Sequence, residues 1–211
     1  MPWANDGGNT WNAVRCAPLD PNPKAPGEAC TVEMRATSGV DDCALGAMCW
    51  AVDPMTLQGT CVALCTGSQD APTCDAPNER CSITHDGILP LCLVQCDPLL
   101  QDCPGGAPCV LDMAGDGFTC LLGPVSGGTA GNSCTSPAEC DAGLMCMDAG
   151  VVPGCAGPEG CCAPFCDLTD PDSDMTCGAS YAAPGATCEP VFDPRNTPAG
   201  LEDVGLCVLA P

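Results

Sequence analysis

The sequence predicts a small disulfide-rich, β-biased fold: five tandem four-cysteine hairpin-like repeats with few or no long helices. Three observations lead there. The chain carries 23 cysteines in 211 residues, far above ordinary usage and typical of a disulfide scaffold. It has only three Phe, three Trp and one Tyr, too few large side chains for a conventional core, so covalent staples are the expected replacement. The 25 Gly and 23 Pro favour turns and short strands over long helices.

The cysteines fall into groups of four with one plan. The groups are Cys30, Cys43, Cys49, Cys61; then Cys65, Cys74, Cys81, Cys92; then Cys96, Cys103, Cys109, Cys120. The fourth is Cys134, Cys140, Cys146, Cys162, and the fifth is Cys166, Cys177, Cys188, Cys207. The first gap is 5–12 residues, the second 5–10 and the third 10–18, and group starts recur every 31 to 38 residues. Such a period marks a repeat array. In the second gap, CALGAMC, CPGGAPC and CDAGLMC each place a glycine at the centre (Gly46, Gly106, Gly143). A central glycine allows a tight reversal at positive φ, so the frame reads as a structural turn rather than a reactive motif. In the second repeat, CDAPNERC substitutes Pro and Asn for the same turn work.

Within each group we expect the first cysteine to pair with the third and the second with the fourth. Adjacent pairing across the short turn is the main rival, since four cysteines allow three connectivities. Cys155 and Cys161 lie inside the long last gap of the fourth repeat and are expected to pair with each other. A bridge between the neighbours Cys161 and Cys162 would be strained. Cys16 remains as the odd cysteine, either free or intermolecular.

The joints CVALC, CLVQC and CAPFC each separate two cysteines by three residues. Positions i and i+4 of a strand share a face, so one strand is expected to carry both. The domain reading is an N-terminal arm (1–29), three stapled repeats (30–120), a Gly/Ser-rich linker (121–133) and two stapled repeats (134–211). The arm holds Trp3 and Trp11 but cannot form a core of its own. Tryptophan is a frequent interface anchor, so Trp3 and Trp11 are expected as assembly contacts on a neighbouring chain, with packing on the arm's own chain as the alternative.

Composition excludes several functions. The net charge is −22, from 27 acidic and five basic residues, which argues against nucleic-acid binding, since that needs a basic footprint. One histidine (His85) and one lysine (Lys24) leave no HExxH metal site and no P-loop. No GxSxG and no C-x-x-C occurs. We expect no catalytic residues and no enzyme activity. Calcium is the one cofactor the acidic loops suggest: Asp167, Asp170, Asp172 and Asp174 share one short loop, and Asp112 and Asp116 another. Irregular loops of this kind supply carboxylate and carbonyl ligands, although neither matches a full EF-hand loop.

So many cysteines suit an oxidising compartment, and no apolar run is long enough for a membrane span. MPWANDGGNT lacks the regions of a signal peptide, and AVRC is a poor match to a lipoprotein acylation site. The expectation is a secreted, extracellular or cell-surface protein.

The central-glycine frames, CVALCTGS, CDPLLQDCPGG and LEDVGLCV resemble uncharacterised cysteine-rich exported proteins and lipoproteins of Gram-negative bacteria, over roughly residues 30–207. The resemblance implies export and disulfides and brings no catalytic residues. CTSPAECDAGLMC is also similar to knottin-like and dickkopf-type modules, but the later spacing departs from them and no receptor function is carried over. The leading functional expectation is a structural one: a subunit of an extracellular filament, fibre or surface assembly, its partners copies of itself. The alternative is a monomeric extracellular binding module for a surface ligand or receptor.

Overall fold

A computed structural model describes residues 1–68 and 70–210. The chain divides into two compact units, Met1–Gln95 and Cys96–Pro211. Each is a set of short antiparallel strands laced by disulfides.

In the first unit, β1 (Pro2–Trp3) pairs with β2 (Ala13–Val14). β3 (Ala29–Thr31), β4 (Ala47–Trp50) and β5 (Gln58–Ala63) form a three-stranded sheet with β5 in the middle. β6 (Thr66–Ser68) pairs with β7 (Ala71–Thr73), and β8 (Glu79–Thr84) with β9 (Leu89–Val94). In the second unit, β10 (Cys109–Leu111) pairs with β11 (Phe118–Cys120). The remaining strands are β12 (Ser133–Cys134), β13 (Leu144–Asp148), β14 (Gly160–Asp167), β15 (Ala186–Pro190) and β16 (Val204–Leu209). They make a five-stranded sheet in which β14 pairs with β12, β13 and β16, and β16 pairs with β15. Among the described residues the one α-helix, α1 (Ser173–Ala179), precedes β15.

One device is repeated five times. The third and fourth cysteines of every group sit directly opposite each other across a hairpin: Cys49 and Cys61, Cys81 and Cys92, Cys109 and Cys120, Cys146 and Cys162, Cys188 and Cys207. Register partners share a face of the sheet. The two sulfurs therefore emerge side by side, and each reaches back to the segment that precedes the hairpin. The bridges are Cys30–Cys49 and Cys43–Cys61, Cys65–Cys81 and Cys74–Cys92, Cys96–Cys109 and Cys103–Cys120. They continue as Cys134–Cys146 and Cys140–Cys162, then Cys166–Cys188 and Cys177–Cys207. Each repeat is thus a loop strapped across a hairpin by two interleaved staples. Gly46, Gly106 and Gly143 turn the strapped loop toward the first hairpin strand at φ of 83°, 74° and 84°.

Cys155–Cys161 is an eleventh bridge. The neighbours Cys161 and Cys162 point to opposite faces of β14, as adjacent strand residues must. Cys162 packs with Cys134 and Cys140 on one side, and Cys161 with Val152, Ala163 and Leu206 on the other. Sulfur takes the place of large aliphatics elsewhere too: the first repeat's core is Cys30, Cys43, Cys49 and Cys61 with Val32 and Ala47.

Three expectations differ from what the structure shows. The boundary between compact units falls between Gln95 and Cys96, not at 121–133. The third repeat belongs with the fourth and fifth because Phe118 packs edge-on against Phe165 and Phe192, at 5.4 and 5.9 Å. The Gly/Ser-rich segment is laid along the fourth repeat: Ser126 and Gly128 N–H groups donate to the Ala138 and Glu139 carbonyls (both 2.9 Å), and Gly131 N–H to that of Cys162 (2.9 Å). A single strand carries a joint only at Cys162 and Cys166, both on β14. At the other two joints the strand ends first, at Ala63 and Val94. There the next cysteine's N–H turns to a new carbonyl, that of Pro90 for Cys65 and that of Phe118 for Cys96.

The arm of residues 1–29 is stitched to its own unit. Ala4 is fully buried, and its N–H donates to the Thr37 carbonyl (2.9 Å). The Arg35 guanidinium donates to the Gly7 carbonyl (2.8 Å), and the Thr37 hydroxyl to that of Gly8 (2.8 Å). Further along, Gly27 N–H donates to the Cys61 carbonyl and Cys61 N–H to that of Glu28.

Candidate binding groove beside Cys16

The two arm tryptophans expected on a neighbouring chain are engaged within their own. The Trp11 ring lies 5.1 Å from that of Trp50 and meets His85 edge-on at 5.8 Å. Trp3 carries the Arg15 guanidinium over its face at 4.8 Å, a cation–π geometry. His85 itself occupies a turn at φ 53°, its Nδ1 2.9 Å from the Thr84 hydroxyl. It serves a packing contact there.

The acidic loop expected to suit calcium is built differently. Ser173–Ala179 is α1, so Asp174 stands in a helical first turn and accepts from Cys188 N–H at 2.9 Å. Asp167 accepts from the Thr169 hydroxyl and amide at 2.6 and 2.7 Å, and Asp170 from Asp172 N–H at 3.0 Å. The Thr169 hydroxyl and amide hold the Asp167 carboxyl below its usual range. Asp112 accepts from Gly115 and Asp116 amides at 2.7 and 3.2 Å. These carboxylates shape turns. Among the described residues, the clusters with ligand-like spacing are cysteine sets, one of them including Asp42, and do not contain these aspartates. Their sulfurs are already spent in disulfides.

What the fold does assemble is an apolar groove of about 460 Å³ in the first unit. One wall comes from the arm just after β2: Cys16, Ala17, Pro18 and Leu19. The other comes from the first glycine turn, Cys43–Gly46, with Leu64 beyond the end of β5. Backbone bonds fix both walls. Arg15 N–H donates to the Met1 carbonyl (2.9 Å), extending the β1–β2 pairing to the edge of the groove. Leu64 N–H donates to the Gly46 carbonyl (2.7 Å), locking the turn against the following strand. Ala44 N–H donates to the Lys24 carbonyl (2.8 Å) and Lys24 N–H to that of Asp42 (2.7 Å), which binds the arm to the turn.

The turn geometry explains the rim. Gly46 reverses the chain at positive φ with open space where a side chain would stand, and the preceding Leu45 is thrown outward, 85% exposed. Leu19 on the arm wall is 56% exposed. Two large aliphatics thus stand in water on the walls of one hollow, an arrangement that favours an interaction site over ordinary surface. The groove's two charged residues have partners of their own. Asp41 accepts from Cys43 and Cys49 amides at 3.0 and 2.9 Å, and Arg15 sits over Trp3. Cys16 is exposed and free while the other 22 cysteines are bridged.

Sequence reasoning singled out Cys16 and missed the leucines. One signal was there: CALGAMC sets a leucine at the apex of a turn where CPGGAPC has glycine, and an apolar apex has no structural use. No protein-family model, curated protein or solved structure matches the chain.

Proposed function

We propose that this chain is an extracellular binding module whose binding face is the apolar groove between Cys16 and Leu45. The observation that carries the reading is the pair of exposed leucines, Leu19 and Leu45, on the walls of a preformed hollow of about 460 Å³. Pockets of this size with apolar walls and few polar groups are typical ligand sites. Eleven disulfides support an oxidising, extracytoplasmic setting. Among the described residues no helix is long and apolar enough to cross a membrane.

The filament reading depended on an arm that docks on the next subunit. Trp11 against Trp50 and His85, and Ala4 buried under its own repeat, support packing of the arm on its own chain. The groove is therefore the better basis for partner binding.

The test is titration of a neutral, apolar fluorescent probe into the Cys16→Ser chain, where thiol chemistry cannot intervene. Saturable binding is expected, lost in Leu45→Asp and in Leu19→Asp. Both positions are solvent-exposed, so the folded state tolerates the change. Absent binding, or binding indifferent to both substitutions, rejects the groove as the binding face.

A further inference from the structure

We propose that the groove takes a single-chain amphiphile with a monoanionic head, its carboxylate on the Arg15 guanidinium and its apolar chain against Leu19 and Leu45. The proposal rests on the reading of the groove as a binding face and names the class of ligand.

Arg15 lines the groove, and it is the arginine whose N–H groups the fold leaves unused. Arg195 pairs with Asp193 at 2.8 Å. Arg35 donates to the Gly7 and Ala4 carbonyls at 2.8 and 3.3 Å, and Arg80 is partnered as well. The Arg15 guanidinium stacks over Trp3. That contact uses the face of the group, whereas its N–H donors lie in its plane. Among the described residues none of them meets an acceptor, and Nε is buried without one. A guanidinium without a carboxylate is out of place in a chain of 27 acidic and five basic residues.

The acidic residues around the groove are turned elsewhere. Asp41, the acidic residue of the lining, accepts from the Cys43 amide through Oδ1 and from the Cys49 amide through Oδ2. Asp20 and Asp42 flank the walls in sequence without lining the groove. Each accepts from a backbone amide, that of Asn22 and that of Thr31 (both 2.8 Å). The groove thus holds one cation with unmet donors and one anion with both oxygens engaged. The remaining lining, Ala17, Pro18, Leu19, Ala44, Leu45 and Leu64, is apolar.

These walls call for an apolar body, and the guanidinium for a planar anion that its fork can hold through two hydrogen bonds. A carboxylate meets that need. The net charge of −22 repels anions at range, so a doubly charged head such as a phosphate monoester is disfavoured. One arginine in direct contact offsets one negative charge.

The experiment is calorimetric titration of the native, unreduced chain with dodecanoate, methyl dodecanoate and dodecyltrimethylammonium, each below its micelle-forming concentration. Arg15→Gln, Arg15→Lys and Leu45→Asp are titrated alongside. The wild type is expected to bind dodecanoate at least about tenfold more tightly than the uncharged ester, the difference one charge-assisted contact makes. Arg15→Gln should bring the two affinities together, mainly by weakening dodecanoate, and Arg15→Lys should restore part of the gap. Leu45→Asp should weaken both ligands, since they share the apolar wall. Equal affinity for acid and ester in the wild type overturns the proposal, as does a gap that survives Arg15→Gln. Tightest binding of the ammonium overturns it too, because the groove would then serve a cation drawn by Asp20, Asp41 and Asp42. In each of these three outcomes the groove reading stands. Binding of none of the three ligands removes the groove reading itself.

Discussion

Cys140–Cys162 and Cys155–Cys161 end on adjacent residues of β14 and act on the same unit, yet they close very different loops. The first spans 22 positions and the second 6. If the staples work chiefly by restricting the unfolded chain, removing the longer one must hurt more. The chain-entropy relation gives about 3.4 kcal/mol for the 22-position loop and about 2.2 kcal/mol for the 6-position loop, a difference of about 1.2 kcal/mol. Packing acts in the same direction: Cys140 and Cys162 are both fully buried, whereas Cys155 is only half-buried. The variants are Cys140→Ala/Cys162→Ala and Cys155→Ala/Cys161→Ala. The assay is urea unfolding followed by tyrosine emission, which reports the second unit because Tyr181 is the chain's one tyrosine; all three tryptophans lie in the first unit. The Cys140/Cys162 variant is expected to lose at least about 1 kcal/mol more than the other. An equal loss, or a larger one in the Cys155/Cys161 variant, would refute loop closure as the source of stability.

Four other expectations follow from single positions. A side chain at Gly205 would stand 2.6 Å from the Cys188 sulfur and 2.9 Å from that of Cys166, so Gly205→Ala should cost about 2–3 kcal/mol by overpacking a bridge. Gly46 has open space around it and only its φ of 83° to protect, so Gly46→Ala should cost about 1–2 kcal/mol; urea unfolding of each unit compares them. The Asp167 carboxyl is held below its ordinary value of 3.8 by Thr169. It therefore adds stability above about pH 4 that is lost as pH falls through the folded value. Asp167→Asn should flatten that acid limb for the second unit in thermal scans across pH, and an unchanged limb would remove the residue from the account. Burial pushes the Tyr181 hydroxyl up to about 12, and it donates to the Cys207 carbonyl at 2.7 Å. An ultraviolet titration should place its ionisation near that value rather than 10. The stability it contributes should hold below pH 10 and fall as the pH rises toward 12.

What could be read from the sequence was the local part of the fold. Cysteine spacing laid out five repeats because each repeat is a nearly self-contained loop and hairpin. The glycine of CALGAMC announced a positive-φ reversal because few other residues take that conformation without cost. The interleaved bridges have a reason the spacing alone could not supply: Cys49 and Cys61 are register partners, so their two sulfurs share a face and both reach the same preceding loop. What escaped was nonlocal. Nothing in PWANDGGNTW says that Trp11 will meet Trp50 and His85, and nothing near Phe118 says that it will meet Phe165 and Phe192. With so few aromatics, each such contact decides where a segment lies, and none has a periodic signature. The Gly/Ser-rich run 121–133 looked like a linker by composition, but its missing side chains let its backbone bond along the fourth repeat. In the acidic loop, Asp167 and Asp170 accept from turn amides with the same oxygens a cation would use, a local role that composition does not reveal. The groove was half visible, through Cys16 and parity. Its leucine rim depends on the arm and the first turn meeting in space.

Proteolysis of the unreduced protein followed by mass spectrometry of the linked peptides tests the central claim, a fully stapled array that leaves Cys16 alone on the groove. The account predicts ten bridges joining first with third and second with fourth cysteines, together with Cys155–Cys161. The Cys16 peptide should be free or joined to another Cys16 peptide. A Cys16 peptide linked to any other cysteine of the chain, or adjacent pairing such as Cys43–Cys49, would contradict it.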